Sequence, residues 1–207
     1  MKPTVVFVGG VPGVGKSTIC KAVADKDKTF VTLKFLRCVL DEAPCLSRKE
    51  VLENFENLQC SIIRNRLIPH LKEGRKVIFD THFSIQSKRD PELVFDKHSF
   101  DILIGTEPTK SKRFLKELSD LKVPLVLILL KAKVAEISNR LKSLVDTHLP
   151  LLSEEIIARG QNAEELCWKM TLQRLDNLKA GHTSIVIKNE GPFELVMPQI
   201  FDLLNRL

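Results

Sequence analysis

Gly10-Val-Pro-Gly-Val-Gly-Lys-Ser-Thr18 follows directly on the apolar run at 4–8, and this junction decides how the chain folds. The stretch has the form GxxxxGK[ST]. Its glycines let successive backbone N–H groups turn inward on β and γ phosphates, Lys16 supplies a mobile cation, and the Ser17 hydroxyl suits Mg²⁺. All nine residues, Gly10, Val11, Pro12, Gly13, Val14, Gly15, Lys16, Ser17 and Thr18, are therefore candidates for nucleotide contact. Val5-Val6-Phe7-Val8 reads as a buried strand and 16–25 carries helical spacing, so the loop opens a helix whose positive N-terminal end favours phosphate.

Working outward from the loop, 207 residues suffice for one sizeable core. The expectation is a single domain over 1–207, with an insertion at about 83–108 and a lid-like segment at about 143–160. The 43% hydrophobic and 28% charged content is ordinary for a soluble globular protein. The most apolar segment, 123–130, contains Pro124 and is closed by Lys122 and Lys131, so it reads as a central parallel strand and no membrane span is expected. No signal-peptide pattern precedes the first strand, and a cytoplasmic location is the corresponding expectation. Cys20, Cys38, Cys45, Cys60 and Cys167 form no CxxC pair and are odd in number, which argues for free thiols over a disulfide framework or zinc site. The net charge of +6 raises nucleic acid as a partner. With no Tyr, one Trp and dispersed cations there is little sign of a stacking platform, and a positive field around a nucleotide cleft accounts for the charge equally well.

Strands are expected at 30–35, 76–80, 125–130 and 184–188. Helices are expected from Ser47 to Glu73-Gly74, over 109–121, from Val134 to about Leu144, over 154–178 and over 193–207. Ser47 and Glu50 form a capping-box pattern, and Val51, Leu52, Phe55, Leu58, Ile62, Leu67 and Leu71 keep the spacing of one buried face. Strand and helix alternate throughout. That order predicts an α/β fold of the P-loop NTPase kind, a five-stranded parallel sheet with helices on both faces. Asp80, Thr81 and His82 then fall at the carboxyl end of a strand, where such sheets bind ligands.

The loop alone fits GTPases, motor ATPases and small-molecule kinases. No NKxD-type base-reading element appears late in the chain, and no acidic second motif with a helical lid domain marks a ring ATPase. The segments Gly9-Gly-Val-Pro-Gly-Val-Gly-Lys-Ser-Thr18, Phe79-Asp-Thr-His82, Arg48-Lys49 with Leu58-Gln59, Asn139-Arg140-Leu141 and Ile187-Lys-Asn189-Glu-Gly191 together resemble a nucleoside monophosphate kinase, most closely the adenylate kinases of archaea. The resemblance implies ATP and Mg²⁺ as cofactors, with phosphoryl transfer to AMP. It places Gly10, Gly13, Gly15, Lys16, Ser17 and Thr18 on the donor phosphates and Arg48 on the acceptor monophosphate. Asp80 would orient Mg²⁺, Thr81 and His82 would line the acceptor pocket, Arg140 would meet adenine or phosphate, and Asn189 would lie near adenine. The catalytic set implied is Lys16, Arg48, Asp80 and Arg140.

Plainer roles stand beside these: a solvated charge at a helix start for Arg48, a capping residue for Asp80, an ordinary polar side chain for His82, a helix C-terminal cation for Arg140 and a turn residue for Asn189. The chain also departs from the family pattern. An arginine-rich lid is replaced by Ser143-Leu-Val-Asp-Thr-His148-Leu-Pro150, where Lys142, His148 and Arg159 are substitutes by position only. The segment after Asp-Thr-His also differs. The expected partners are small nucleotides, with a homo-oligomer as a family trait. The alternatives are a kinase with a hydroxyl acceptor, for which Asp80 is the natural base, and a nucleotide-switched RNA- or assembly-binding protein using the basic 110–122 helix.

Overall fold

The computed structural model describes residues 2–83, 112–143 and 153–206. Five strands, β1 (Val5–Gly9), β2 (Phe30–Lys34), β3 (Lys76–Asp80), β4 (Leu125–Lys131) and β5 (His182–Lys188), form one sheet in the order β2-β3-β1-β4-β5. Every pairing is parallel, with Val5 opposite both Val77 and Leu125. The central strands are continuous apolar runs because helices cover both faces, so no polar face is needed.

Alternation along the strands splits the core. Phe7, Phe79, Leu127 and Leu129 pack with Phe35, Phe55, Phe114 and Trp168 on one face, while Val6, Val8, Ile128 and Leu130 pack with Ile19, Val23, Ile137 and Ile200 on the other. Stacking of Phe7 on Phe79 (5.2 Å between centroids) and the edge contacts of Phe35 with Phe79 and Phe114 fix the first face. Each fully buried Phe or Leu contributes about 1.5–3 kcal/mol.

The helices are α1 (Lys16–Lys26), α2 (Phe35–Glu42), α3 (Arg48–Glu53), α4 (Phe55–Ile62), α5 (Ile68–Lys72), α6 (Lys112–Asp120), α7 (Val134–Ser143), α8 (Glu154–Asn177) and α9 (Met197–Asn205). Three expectations about the elements change. Phe35 opens α2 instead of ending β2, and the long helix expected after Ser47 is three α segments joined through a π turn at Ile63–Leu67. The Ser47–Glu50 capping box forms as expected. The first break is at Asn54, whose side chain takes the Glu50 carbonyl (2.9 Å) and competes with the helix ladder. The π turn precedes Pro69, which lacks an N–H and crowds the preceding turn. The last helix is likewise a 3₁₀ turn, Phe193–Leu195, followed by α9 with Pro198 in its first turn. None of the described helices is long and apolar enough to cross a membrane.

The sheet order positions the site. From β1 the chain moves outward to β2 and β3 on one side, then crosses to β4 and β5 on the other. The crevice at the carboxyl ends of β1, β3 and β4 is the switch point where open α/β sheets receive ligands. The expected insertion at 83–108 lies, beyond Phe83, outside the described residues, as does the central part of the expected lid, 144–152.

Candidate active site

The loop between β1 and α1 depends on glycine at two positions. Gly10 has φ of +140°, and a Cβ there would stand 2.7 Å from the Leu130 carbonyl oxygen; Gly15 has φ of +102°, and its Cβ would stand 2.5 Å from the Asn189 side-chain nitrogen. Val11 and Val14 turn into the core and anchor the loop, leaving its backbone to face the crevice. Lys16 is 8% exposed and curls over the loop, its Nζ donating to the carbonyls of Gly10 (2.6 Å) and Val11 (3.1 Å). At the end of β3, the Asp80 carboxylate accepts a hydrogen bond from the Ser17 hydroxyl. This brings together two oxygen donors from separate elements, a set suited to Mg²⁺, which prefers oxygen ligands and keeps several waters.

Beyond β4 and β5 lies a second group. Asn189 donates its backbone N–H to the Lys131 carbonyl (2.7 Å) and its side-chain amide to the Val14 carbonyl (2.6 Å), joining the turn after β5 to the loop. Arg140, near the end of α7, donates Nη2 to the Asn189 carbonyl (3.0 Å) and to Glu136 (3.2 Å), while its Nη1 is buried without a hydrogen-bond partner. Asn189 is 5% exposed and linked to the loop, a more constrained role than that of a turn residue.

On the β3 side, Thr81 is 2% exposed, donates its N–H to the Val8 carbonyl (3.0 Å) and turns its hydroxyl to the His82 carbonyl (3.3 Å). His82 faces the crevice, and its Nδ1 lies 3.3 Å from Glu164 Oε1. The second oxygen of Glu164 accepts the Phe83 N–H at 2.7 Å. Burial pushes the Glu164 carboxyl up, but the hydrogen bond and charge of His82, the Phe83 amide and the Lys16 cation outweigh it and hold the group below the usual carboxylate range. Arg48 opens α3; its side chain lies outside the described residues. His148 lies outside them too. Arg159 pairs with Glu155 at 2.6 Å, and Lys142 is exposed.

Lys16, Ser17, Asp80, His82, Arg140 and Asn189 thus line one open cleft of about 760 Å³, together with Pro12, Gly13, Gly15 and Thr18 of the loop. Thr81 is not among its lining residues. Glu164 was missed by sequence reasoning, although a signal existed. It falls on the buried stripe of α8 with Gly160, Cys167, Trp168 and Thr171, and a carboxylate on such a stripe needs a partner.

No family model matches the chain. Part of it is similar to the thymidylate kinase of Leptospira borgpetersenii, 31% identical over 116 residues that cover 47% of this chain and 57% of that enzyme, and to that of Leptospira interrogans at 28% over the same span. The chain therefore spans little more than half the length of these curated relatives. Neither relative is an adenylate kinase. Among solved structures, a protein of Chloroflexus aurantiacus provisionally described as a kinase superposes with a TM-score of 0.59 over 100% of this chain and 96% of that one, at 14% identity. Deoxyadenosine kinase from M. mycoides with bound dATP gives 0.50 over 99% and 100%, at 16% identity. The chain has the α/β fold of the P-loop nucleoside kinases, a five-stranded parallel sheet with helices on both faces.

Proposed function

We propose that the chain is an ATP-dependent phosphotransferase that moves the γ-phosphoryl group of ATP to a nucleoside monophosphate. The observation that carries this reading is the joining of the phosphate loop to the β3 end, Ser17 to Asp80, at the switch point of the sheet. The thymidylate kinase relatives favour a deoxynucleotide, thymidine monophosphate first, over the AMP implied by the adenylate kinase resemblance. A phosphate acceptor is already anionic at neutral pH, so positioning and charge neutralisation carry the reaction and no base is required.

The loop amides and Lys16 hold the β and γ phosphates. In leaving the carbonyls of Gly10 and Val11 for phosphate oxygens, Lys16 exchanges neutral acceptors for charged ones, a stronger bond. Ser17 and Asp80 would hold Mg²⁺, which when bound neutralises charge on the β and γ oxygens. Arg140 and Asn189 form the wall expected to meet the donor base. Arg48 is expected to hold the acceptor phosphate, and closure of 144–159 to exclude water.

The experiment is Mg-ATP with a panel of thymidine monophosphate, AMP, other nucleoside monophosphates and free nucleosides, with products separated by chromatography. A nucleoside diphosphate is expected, greatest with thymidine monophosphate. ATP binding with no phosphorylated acceptor overturns the kinase reading, and a monophosphate made from a nucleoside replaces it with a hydroxyl-acceptor kinase. Arg48→Ala is expected to raise the acceptor KM; unchanged acceptor dependence removes Arg48 from the site. In α6, the helix that the RNA-binding alternative would use, Arg113 pairs with Glu117 and Asn57, and Glu117 also holds Arg64. Those contacts hold that part of the basic helix against α4.

A further inference from the structure

Among the described residues Glu164 is the least exposed carboxylate near the cleft, with one oxygen engaged with His82 and the other with Phe83, the two residues that follow Thr81. A buried carboxylate costs several kcal/mol unless it is satisfied, so its presence on the inner stripe of α8 calls for a role that an apolar residue cannot fill. Anchoring the chain alone would need only the bond to the Phe83 N–H. The bond to His82 does something more. A histidine at the end of a strand can turn either ring nitrogen toward a ligand, and the contact with Glu164 removes that freedom by assigning Nδ1 to α8. The neighbouring geometry is equally fixed. Phe83 is fully buried, and a Cβ on Gly9 would stand 2.2 Å from its ring, so the chain just after His82 is packed against the strand that feeds the phosphate loop.

Sheet order gives this imidazole its place. Arg140 and Asn189 follow β4 and β5, whereas Asp80 and His82 follow β3 on the other side of β1. His82 therefore borders the cleft on the side away from Asn189, the side left for the second substrate once the donor lies along the loop.

Resting on the kinase reading above, we propose that Glu164 is a positioning residue for the phosphoryl acceptor: by tying Nδ1 of His82 to α8, it presents the opposite edge of the imidazole to an oxygen of the acceptor. His82 touches the acceptor and Glu164 acts through it. The pair links α8, the helix following the lid-like segment, to the end of β3.

The test is a double-mutant cycle with Glu164→Gln and His82→Ala, read as separate KM values for thymidine monophosphate and ATP. Each single variant is expected to raise the acceptor KM about 10-fold, leave the ATP KM within about twofold, and make the other change silent, because both remove the same interaction. Effects that multiply, or an ATP KM rising in step with the acceptor KM, assign Glu164 to anchoring the chain only and overturn the proposal. Should Glu164→Gln fail to fold, the wild type and His82→Ala decide by the ¹H,¹⁵N imidazole spectrum. A His82 Nδ1–H protected from exchange, with its resonance moved by thymidine monophosphate added to the ATP-bound protein, supports the proposal. An unprotected Nδ1, or a resonance indifferent to the acceptor, overturns it. A wild-type protein that phosphorylates nothing defeats the kinase reading instead, and the spectrum still reports whether Glu164 fixes His82.

Discussion

The two halves of the cleft are built in opposite ways. The phosphate-holding core of the donor half is nine contiguous residues whose conformation follows largely from local chemistry: glycines at positive φ, two valines as anchors, a lysine and a hydroxyl at a helix start. The β3 half joins Asp80 and His82 to a carboxylate on α8, with Phe83 and Glu164 separated by 81 positions. A contiguous site can be recognised from its own residues, whereas a composite one exists only after the sheet has ordered its strands. The two also hold their charges differently. Lys16 rests on backbone carbonyls that it can leave, while Glu164 is fixed between His82 and Phe83.

The comparison breaks first at Lys16. Removing the cation in Lys16→Ala should lower turnover by ~10²–10³-fold, measured as kcat at saturating Mg-ATP and acceptor. A fall of less than tenfold would mean that charge on the transferred group is met from elsewhere in the cleft. Gly15→Ala comes next, because it places a side chain at φ +102° and against the Asn189 amide. It should cost about 1–3 kcal/mol, read from chemical denaturation, and weaken ATP binding. An unchanged midpoint would show that the loop adapts, contrary to its fixed appearance.

Asn189→Ala removes the side-chain bond from the β5 turn to the Val14 carbonyl of the loop and should cost about 1 kcal/mol of stability while reducing ATP affinity more than acceptor affinity. The reverse order of effects would move Asn189 to the acceptor half. The smallest effect is expected at Glu165, the outward neighbour of Glu164. Hydrogen bonds and charge from Lys131 and Lys169 hold it at about 2. Its native value is depressed, so the stability it adds is present above the unfolded value of about 4.3 and lost as pH falls toward about 2. With Glu165 30% and Lys169 62% exposed, Glu165→Gln should flatten the acid limb of the stability curve by no more than ~0.5 kcal/mol, and salt should erase the difference.

Much of the scaffold was readable because its elements are locally consistent. The strand at 76–80 was placed to the residue, and the helix starts at Lys16, Val134 and Glu154 agree with the structure. The failures have local causes that a count of apolar spacing ignores. In 47–72 Val51, Phe55, Leu58, Ile62 and Leu67 are buried as expected, yet the helix breaks at Asn54 and again at the π turn before Pro69. Phe35 has strand propensity but begins α2, where it packs edge-on against Phe79 and Phe114. Within the site, Lys16, Ser17, Asp80, His82, Arg140 and Asn189 are all legible in the sequence and meet in the cleft, whereas Thr81, part of the same Asp-Thr-His motif, is buried just beyond the end of β3.

By itself the sequence determined the phosphate loop, the alternation of strand and helix, and the presence of chemically capable residues at strand ends, because each depends on neighbours within a few positions of the chain. Only the tertiary structure decided the strand order, the division of the cleft into two sides, the capture of Asn189 by the loop and the clamp of Glu164 on His82. Those contacts join residues far apart in sequence, and their energy comes from burial and from partners that no local pattern specifies.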